Sequence, residues 1–277
     1  MRRETFETPG DVTLDLRVPS GRIDVETGPG TTTDVELDAR GGADQVRELL
    51  DDARIELRET GGGHEVVVDV ETRRALGFGF LRKLDVRLRI RAPEGARLRA
   101  ETASADLRGR GRFGSLHAKA ASGDLDLDEI SGDAQVEAAS GDIRLGDIGG
   151  ATDISTASGD IRLGRVKGPL SARAASGDIQ VDEAGDAKVR TASGDQRIGA
   201  VSEGSVELQS MSGDITVGVR QGSNIWVDAR AMSGDLTSDV ALDEVPPAPD
   251  DGAPLVELRA TSMSGDIDVV RAPSPTT

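Results

Sequence analysis

Ser140–Ala157 reads SGDIRLGDIGGATDISTA, and this eighteen-residue stretch decides the fold. With Ser140 counted as zero, apolar or small residues fall at +3, +5 and +8 and again at +12, +14 and +16: Ile143, Leu145, Ile148, Thr152, Ile154 and Thr156. Steps of two place side chains on alternate faces of an extended chain, so the stretch predicts two short strands and two turns. Neighbouring copies repeat the pattern with Leu125, Leu127, Ile130, Ala134, Val136 and Ala138 before it, and Ile161, Leu163, Val166, Leu170, Ala172 and Ala174 after it. The residues between, such as Arg144, Asp153, Arg162 and Arg173, are expected to face water.

The tripeptide Ser-Gly-Asp marks each copy. As the marker of a copy it starts at Ser122, Ser140, Ser158, Ser176, Ser193, Ser212, Ser233 and Ser264, with spacings of 18, 18, 18, 17, 19, 21 and 31; one further occurrence, Ser131-Gly132-Asp133, falls nine residues after Ser122, out of this phase. Ser104-Ala105-Asp106 is a degenerate copy eighteen residues before the first. A fixed period near twenty signals stacked units that bury a core only together. The expected fold is all-β: a single-stranded parallel β-solenoid (β-helix) with about 18 residues per coil, two strands per coil and coils about 4.8 Å apart. A right-handed path is preferred on the handedness of parallel crossovers. The turn residues are expected at Ser140, Gly141 and Asp142 and at Ser158, Gly159 and Asp160. In phase, the serine should point inward as a hydroxyl ladder, the glycine should supply the positive φ of the corner, and the aspartate should cap its own turn.

Around this repeat the chain is less regular. Residues 1–94 read as an irregular N-terminal β region, continuous with the regular solenoid over 95–271. Ala43–Ala53 carries Val46, Leu49 and Leu50 at helical spacing, predicting one short helix that covers the first coil. Pro19-Ser20-Gly21-Arg22-Ile23 reads as a diverged corner. DEVPPAPDDGAP (243–254) predicts an exposed Pro-rich loop, and 272–277 a disordered tail. Because the chain stops just after Ile267, Val269 and Val270, the C-terminal coil is expected to leave an open parallel edge through which copies associate.

Composition narrows the function. The 277 residues carry a formal charge of -17, which argues against nucleic-acid binding. There is no cysteine, hence neither a disulfide framework nor thiolate chemistry. No apolar run reaches membrane-spanning length. The start, MRRETFETPGDV, lacks the apolar core of a secretory signal, so a cytoplasmic location is expected, with envelope association as the alternative. His64 and His117 are isolated, and no nucleophile elbow, phosphate loop or metal-spaced cluster occurs. No catalytic residue, metal or cofactor is expected.

Three features remain as candidates. The aspartate column could hold its turns, bind calcium, or form an acidic ridge for polysaccharide; one carboxylate per corner supplies few of calcium's six to eight oxygens. The residue before each serine is Ala121, Ala139, Ala157, Ala175 and Ala192, then Met211, Met232 and Met263. Phase places this position outside the core, so the three methionines are candidate contact residues, as is Trp226. The segment 73–83, with Phe78, Phe80 and Leu81 among basic residues, reads as a hairpin loop or as a contact with a protein or an anionic membrane surface.

The run ASGDIRLGDI…TASGDIRLG…AASGDIQVDEAGDAKVRTASGD, with RIRAPEGARLRAETASADL ahead of it, resembles the bacterial β-strand-repeat (SGDI-repeat) family of unknown function labelled "putative adhesin", over roughly residues 84–270. The resemblance implies a β-helical fold with no established enzymatic activity. The expected function is therefore a non-enzymatic scaffold or adhesin-like binding module acting through protein contacts or self-assembly. The alternative is a carbohydrate-binding or carbohydrate-active β-helix protein.

Overall fold

Residues 1–70, 85–240 and 254–272 are described by the structure, a computed structural model. The chain forms an all-β parallel solenoid with two strands per coil and, among the described residues, one short helix. It comprises two units, Met1–Leu145 and Gly146–Thr277.

In the first unit the strands are β1 (Arg2–Glu7), β2 (Asp11–Gly28) and β3 (Thr32–Arg40), then helix α1 (Ala43–Asp52), β4 (Arg54–Thr60), β5 (Gly63–Asp69), β6 (Asp85–Pro93), β7 (Arg97–Phe113), β8 (Ser115–Ala120), β9 (Leu125–Ile130) and β10 (Ala134–Ser140). Strand β2 is a whole coil: Val12, Leu14, Leu16, Val18, Ile23 and Val25 are buried on either side of a corner at Gly21 (φ 112°). This is the diverged corner expected at 19–23. It stacks in register on the degenerate copy, Ser20 on Ser104 and Gly21 on Ala105. On its other side, β2 pairs with β5 along its first half and β6 along its second. Antiparallel strands then finish this end, β4 on β5, β3 on β6 and β1 on β3. The helix forms where its periodicity places it, but packs against β3. Leu49 is its buried residue, and the Arg2 guanidinium donates to the Ala53 carbonyl (2.7 Å) at its C-terminal end. The first coil is covered by strands instead of by the helix.

Strand β11 (Ile143–Ile148) leads into β12 (Thr152–Ser158), β13 (Ile161–Val166), β14 (Leu170–Ser176), β15 (Ile179–Ala184), β16 (Ala187–Ser193), β17 (Gln196–Val201), β18 (Gly204–Ser212), β19 (Ile215–Val219), β20 (Asn224–Ala231), β21 (Leu236–Ser238), β22 (Leu255–Ser262) and β23 (Ile267–Arg271). Two parallel columns result. One is stacked β12, β14, β16, β18, β22, β20, and the other β13, β15, β17, β19, β23, β21. The last two coils are out of chain order: β22 and β23 lie between the β18–β19 coil and the β20–β21 coil, although β20 and β21 precede them in sequence.

This corrects the expectation of an open C-terminal coil. Ile267 and Val269 are fully buried between rungs, and among the described residues the outermost coil is that of residues 224–238. Burial gives the reason. LVELRATS and IDVV alternate cleanly and bury Val256, Leu258, Ala260, Ile267 and Val269 completely. The 224–238 coil sets Ile225, Val227, Ala229 and Leu236 opposite Val256, Leu258, Ala260 and Ile267 but has Ser238 where the other coil has Val269, and as the end rung it leaves Leu236 47% exposed. Apolar area removed from water is greatest when the better-patterned coil occupies the interior rung.

Candidate functional site

The Ser-Gly-Asp corner is the frame from which every outward side chain is presented. Its glycine adopts positive φ in each copy, 113° at Gly141, 123° at Gly159 and 127° at Gly177. A Cβ on Gly177 would stand 2.2 Å from the Gly159 carbonyl oxygen, so the corner needs glycine for space as well as for conformation. The serines are exposed in all eight copies, including Ser140 and Ser158, contrary to the inward hydroxyl ladder expected from phase. The inward ladder ends two residues earlier, at Thr156, Ala174, Thr191, Ser210 and Ser262, and the serine beyond it lies on the exposed corner. What the serine gives the stack is its carbonyl, which accepts the glycine N–H of the adjacent coil, as in Gly159 to Ser176 (3.1 Å) and Gly177 to Ser193 (3.0 Å).

The aspartates do not cap their own turns. Their carboxylates accept the backbone N–H of an aspartate on the next rung: Asp142 donates to Asp124 (3.0 Å), Asp178 to Asp160 (3.1 Å), Asp195 to Asp178 (2.9 Å) and Asp214 to Asp195 (2.9 Å). The ladder follows spatial order at the end, with Asp266 donating to Asp214 and Asp235 donating to Asp266, both at 2.8 Å. Arg144 and Arg162 bind the second oxygens of Asp142 (2.7 Å) and Asp160 (2.8 Å), offsetting the repulsion of stacked carboxylates. Among the described residues, no cluster of three or more metal-ligating side chains is placed to hold an ion. The column is a structural spine.

The methionines follow from the same corner. Ser210 pairs with Ser262 and Ser262 with Ala231, so Met211, Met263 and Met232 stand on three consecutive rungs in that order. The Met263 N–H donates to the Ser210 carbonyl (3.2 Å) and the Met232 N–H to the Ser262 carbonyl (3.0 Å), which fixes the rungs. Their side chains are 59%, 49% and 78% exposed. At this position the preceding coils of the unit carry Ala157, Ala175 and Ala192. Beside the column lies an open groove of about 540 Å³ lined by Arg173, Arg190, Gln209, Met211, Thr261 and Met263 among others.

Trp226 does not join this surface. It sits near the start of β20, six residues and about 20 Å of extended chain from Met232, half-buried with the Arg259 guanidinium 5.6 Å from its ring centroid. Phe78, Phe80 and Leu81, and with them the membrane or protein contact read from 73–83, lie outside the described residues, as do nearly all of the 243–254 loop and the 273–277 tail. The histidines stay apart; His117 bonds Gln135 on the neighbouring rung (3.1 Å) and His64 lies in β5.

Two charged clusters brace the outer faces. Glu183 accepts from Arg165 (3.0 Å) and Arg220 (2.8 Å). Burial works against its charged form, but the two guanidiniums outweigh it and hold its pKa below the ordinary glutamate value. Glu207 is likewise held low, by a hydrogen bond from Lys188 (2.7 Å) and a longer contact from Arg190 (3.5 Å). The sequence reading missed Gln196. It occupies the inward position held by Ile or Leu in the neighbouring copies and is 1% exposed. Its Nε2 donates to the Gln209 carbonyl (2.7 Å), tying β17 to β18, while Oε1 has no partner. The break from SGDI to SGDQ at 193–196 was its visible signal.

The Toastrack DUF4097 family model matches residues 14–205, and the chain belongs to that family. Among solved structures it is similar to a "putative adhesin" from Bacteroides fragilis NCTC 9343, at 10% identity and TM-score 0.45, covering 97% of this chain and 96% of that one. It is also similar to a "putative lipid binding protein" from Parabacteroides distasonis ATCC 8503, at 13% identity and TM-score 0.47, with 98% and 96% covered. A "putative adhesin" from the same organism is similar at 10% identity and TM-score 0.41, with 96% of each chain covered. No curated protein matches the chain.

Proposed function

We propose that this Toastrack DUF4097 chain is a non-catalytic, adhesin-like binding module: the solenoid is the scaffold, and the column Met211–Met263–Met232 is its contact surface. The observation that carries this reading is the stacking of three methionines, 49–78% exposed, on consecutive rungs where the preceding coils present alanine. A polar rung surface would keep these positions wet at no cost. Covering a methionine side chain instead gains about 1.5–3 kcal/mol of apolar burial, and its unbranched thioether adapts to irregular partners. Sugar recognition is less well supported, because a pyranose platform needs a free aromatic face and Trp226 is overlaid by Arg259.

The test is quantitative capture from native cells with the full chain and with Met211, Met232 and Met263 all changed to Ser. A specific protein partner should be retained by the native chain and reduced roughly tenfold with the triple variant, while Arg144→Ser leaves capture unchanged. Equal capture by both chains, or turnover on a polysaccharide panel, would overturn the proposal.

A further inference from the structure

We infer that the groove beside the methionine column binds a single-chain anionic amphiphile, an alkyl carboxylate, with its head at Arg173 and Arg190 and its chain along Met211 and Met263. The inference rests on the reading of that column as a contact surface, and adds the chemistry of what one part of it takes.

The ladder register orders the groove into two rows. Arg173 on β14 stands opposite Arg190 on β16, Arg190 opposite Gln209 on β18, and Gln209 opposite Thr261 on β22. Two positions further along the same strands lie Ala175, Ala192, Met211 and Met263. The groove therefore runs along the stack for three rung intervals, about 14 Å, and changes character from one end to the other. Its β14–β16 end has two guanidiniums; its β18–β22 end has two thioethers beside neutral polar side chains. None of the groove-lining residues is acidic, in a chain with 50 Asp and Glu against 33 Lys and Arg.

The two guanidiniums can turn to a ligand. They stand in register on adjacent rungs, so that one carboxylate can be shared between them. Their present partners can spare them. Glu207 keeps Lys188 at 2.7 Å when the 3.5 Å contact from Arg190 is given up. Asp153, which holds Arg173 at 3.2 Å, is more than half exposed and is solvated when released. Arg190 Nε is buried without a hydrogen-bond partner, and the planar fork of guanidinium matches a carboxylate in two parallel bonds. The head alone gains little at a wet surface, so the apolar row is needed to hold the ligand; the apolar row alone does not orient it.

The experiment is calorimetric titration of the full chain with decanoate below its micelle concentration, beside decanol, acetate and inorganic phosphate. Decanoate should bind at one saturable site; decanol should bind at least about tenfold more weakly for want of the charged pair; acetate and phosphate should give no saturation. Arg190→Gln and Met211→Ser should each weaken decanoate about tenfold or more, with amide spectra confirming the fold. Arg162→Gln, outside the groove lining and the methionine column, should leave it unchanged. Equal binding of decanol would reduce the site to an apolar patch, and equal binding of phosphate or acetate to an unspecific cationic pair; either result overturns the inference, as does decanoate binding that is absent or insensitive to Arg190→Gln. If decanoate fails while the triple methionine variant still loses its partner, the amphiphile site falls and the contact surface stands.

Discussion

Replacing Gly177 by alanine tests the stacking geometry at one atom. At φ 127° an L side chain is strained, which costs about 1–2 kcal/mol. The new Cβ would also stand 2.2 Å from the Gly159 carbonyl oxygen and 2.7 Å from its carbon. Relief requires the two rungs to part at the corner. That stretches the bonds from the Gly159 N–H to the Ser176 carbonyl (3.1 Å) and from the Asp178 N–H to Asp160 (3.1 Å), each worth about 0.5–1.5 kcal/mol. The expected loss is about 2–5 kcal/mol. Gly222 is the control, since its φ is also positive at 90° but its Cβ would meet nothing within 4 Å; Gly222→Ala should cost only the conformational part, about 1–2 kcal/mol. Urea unfolding of both variants, followed by circular dichroism, gives the comparison. If the two destabilise equally, the steric part of the argument is wrong and rung spacing at the corner is not held by glycine.

Three further outcomes are expected. Gln196→Ile removes a buried oxygen without a partner and restores the Ile pattern, so the melting temperature should rise by a few degrees (a gain of about 1 kcal/mol) in calorimetry; a fall would mean that the Gln196–Gln209 bond outweighs the orphan oxygen. Asp178→Asn keeps an acceptor for the Asp195 N–H and should change stability little, whereas Asp178→Ala should cost about 1 kcal/mol; equal effects would remove the carboxylate ladder from the account. Because the Glu183 pKa is depressed in the folded chain, its stabilisation is present above the ordinary glutamate value and is lost as pH falls through the lower folded value. Glu183→Gln should therefore flatten the acid side of the stability–pH profile below about pH 4.3, and an unchanged acid limb would contradict this.

What the sequence made legible was what periodicity controls. Ile143, Leu145, Ile148, Thr152, Ile154 and Thr156 are the inward residues, the corners fall at Gly141 and Gly159, and the helix forms at Ala43. What it concealed lies beyond a period-two count. Alternation does not say where the inward face ends, and it ends at Thr156, so the serine was assigned to the wrong face. An aspartate that accepts an N–H from the next rung looks in sequence like one capping its own turn. Spacings of 21 and 31 are equally compatible with either stacking order of the last coils; only the relative burial of LVELRATS against the 224–238 coil decides it. The methionine surface was legible as an outward phase, but its contiguity with the Arg173–Arg190 groove depends on that order.

The stacking order is thus the claim on which the contact surface depends, and a cysteine-free chain allows a direct test. Gln209 and Thr261 are register partners, while Arg230 is the partner of Thr261 on its far side. Disulfide trapping should link Gln209→Cys with Thr261→Cys, one rung and about 4.8 Å apart, and should fail for Gln209→Cys with Arg230→Cys, two rungs and about 9.6 Å apart and beyond disulfide reach. The opposite result, with the second pair linked and the first free, would mean that the coils stack in chain order and would contradict the account.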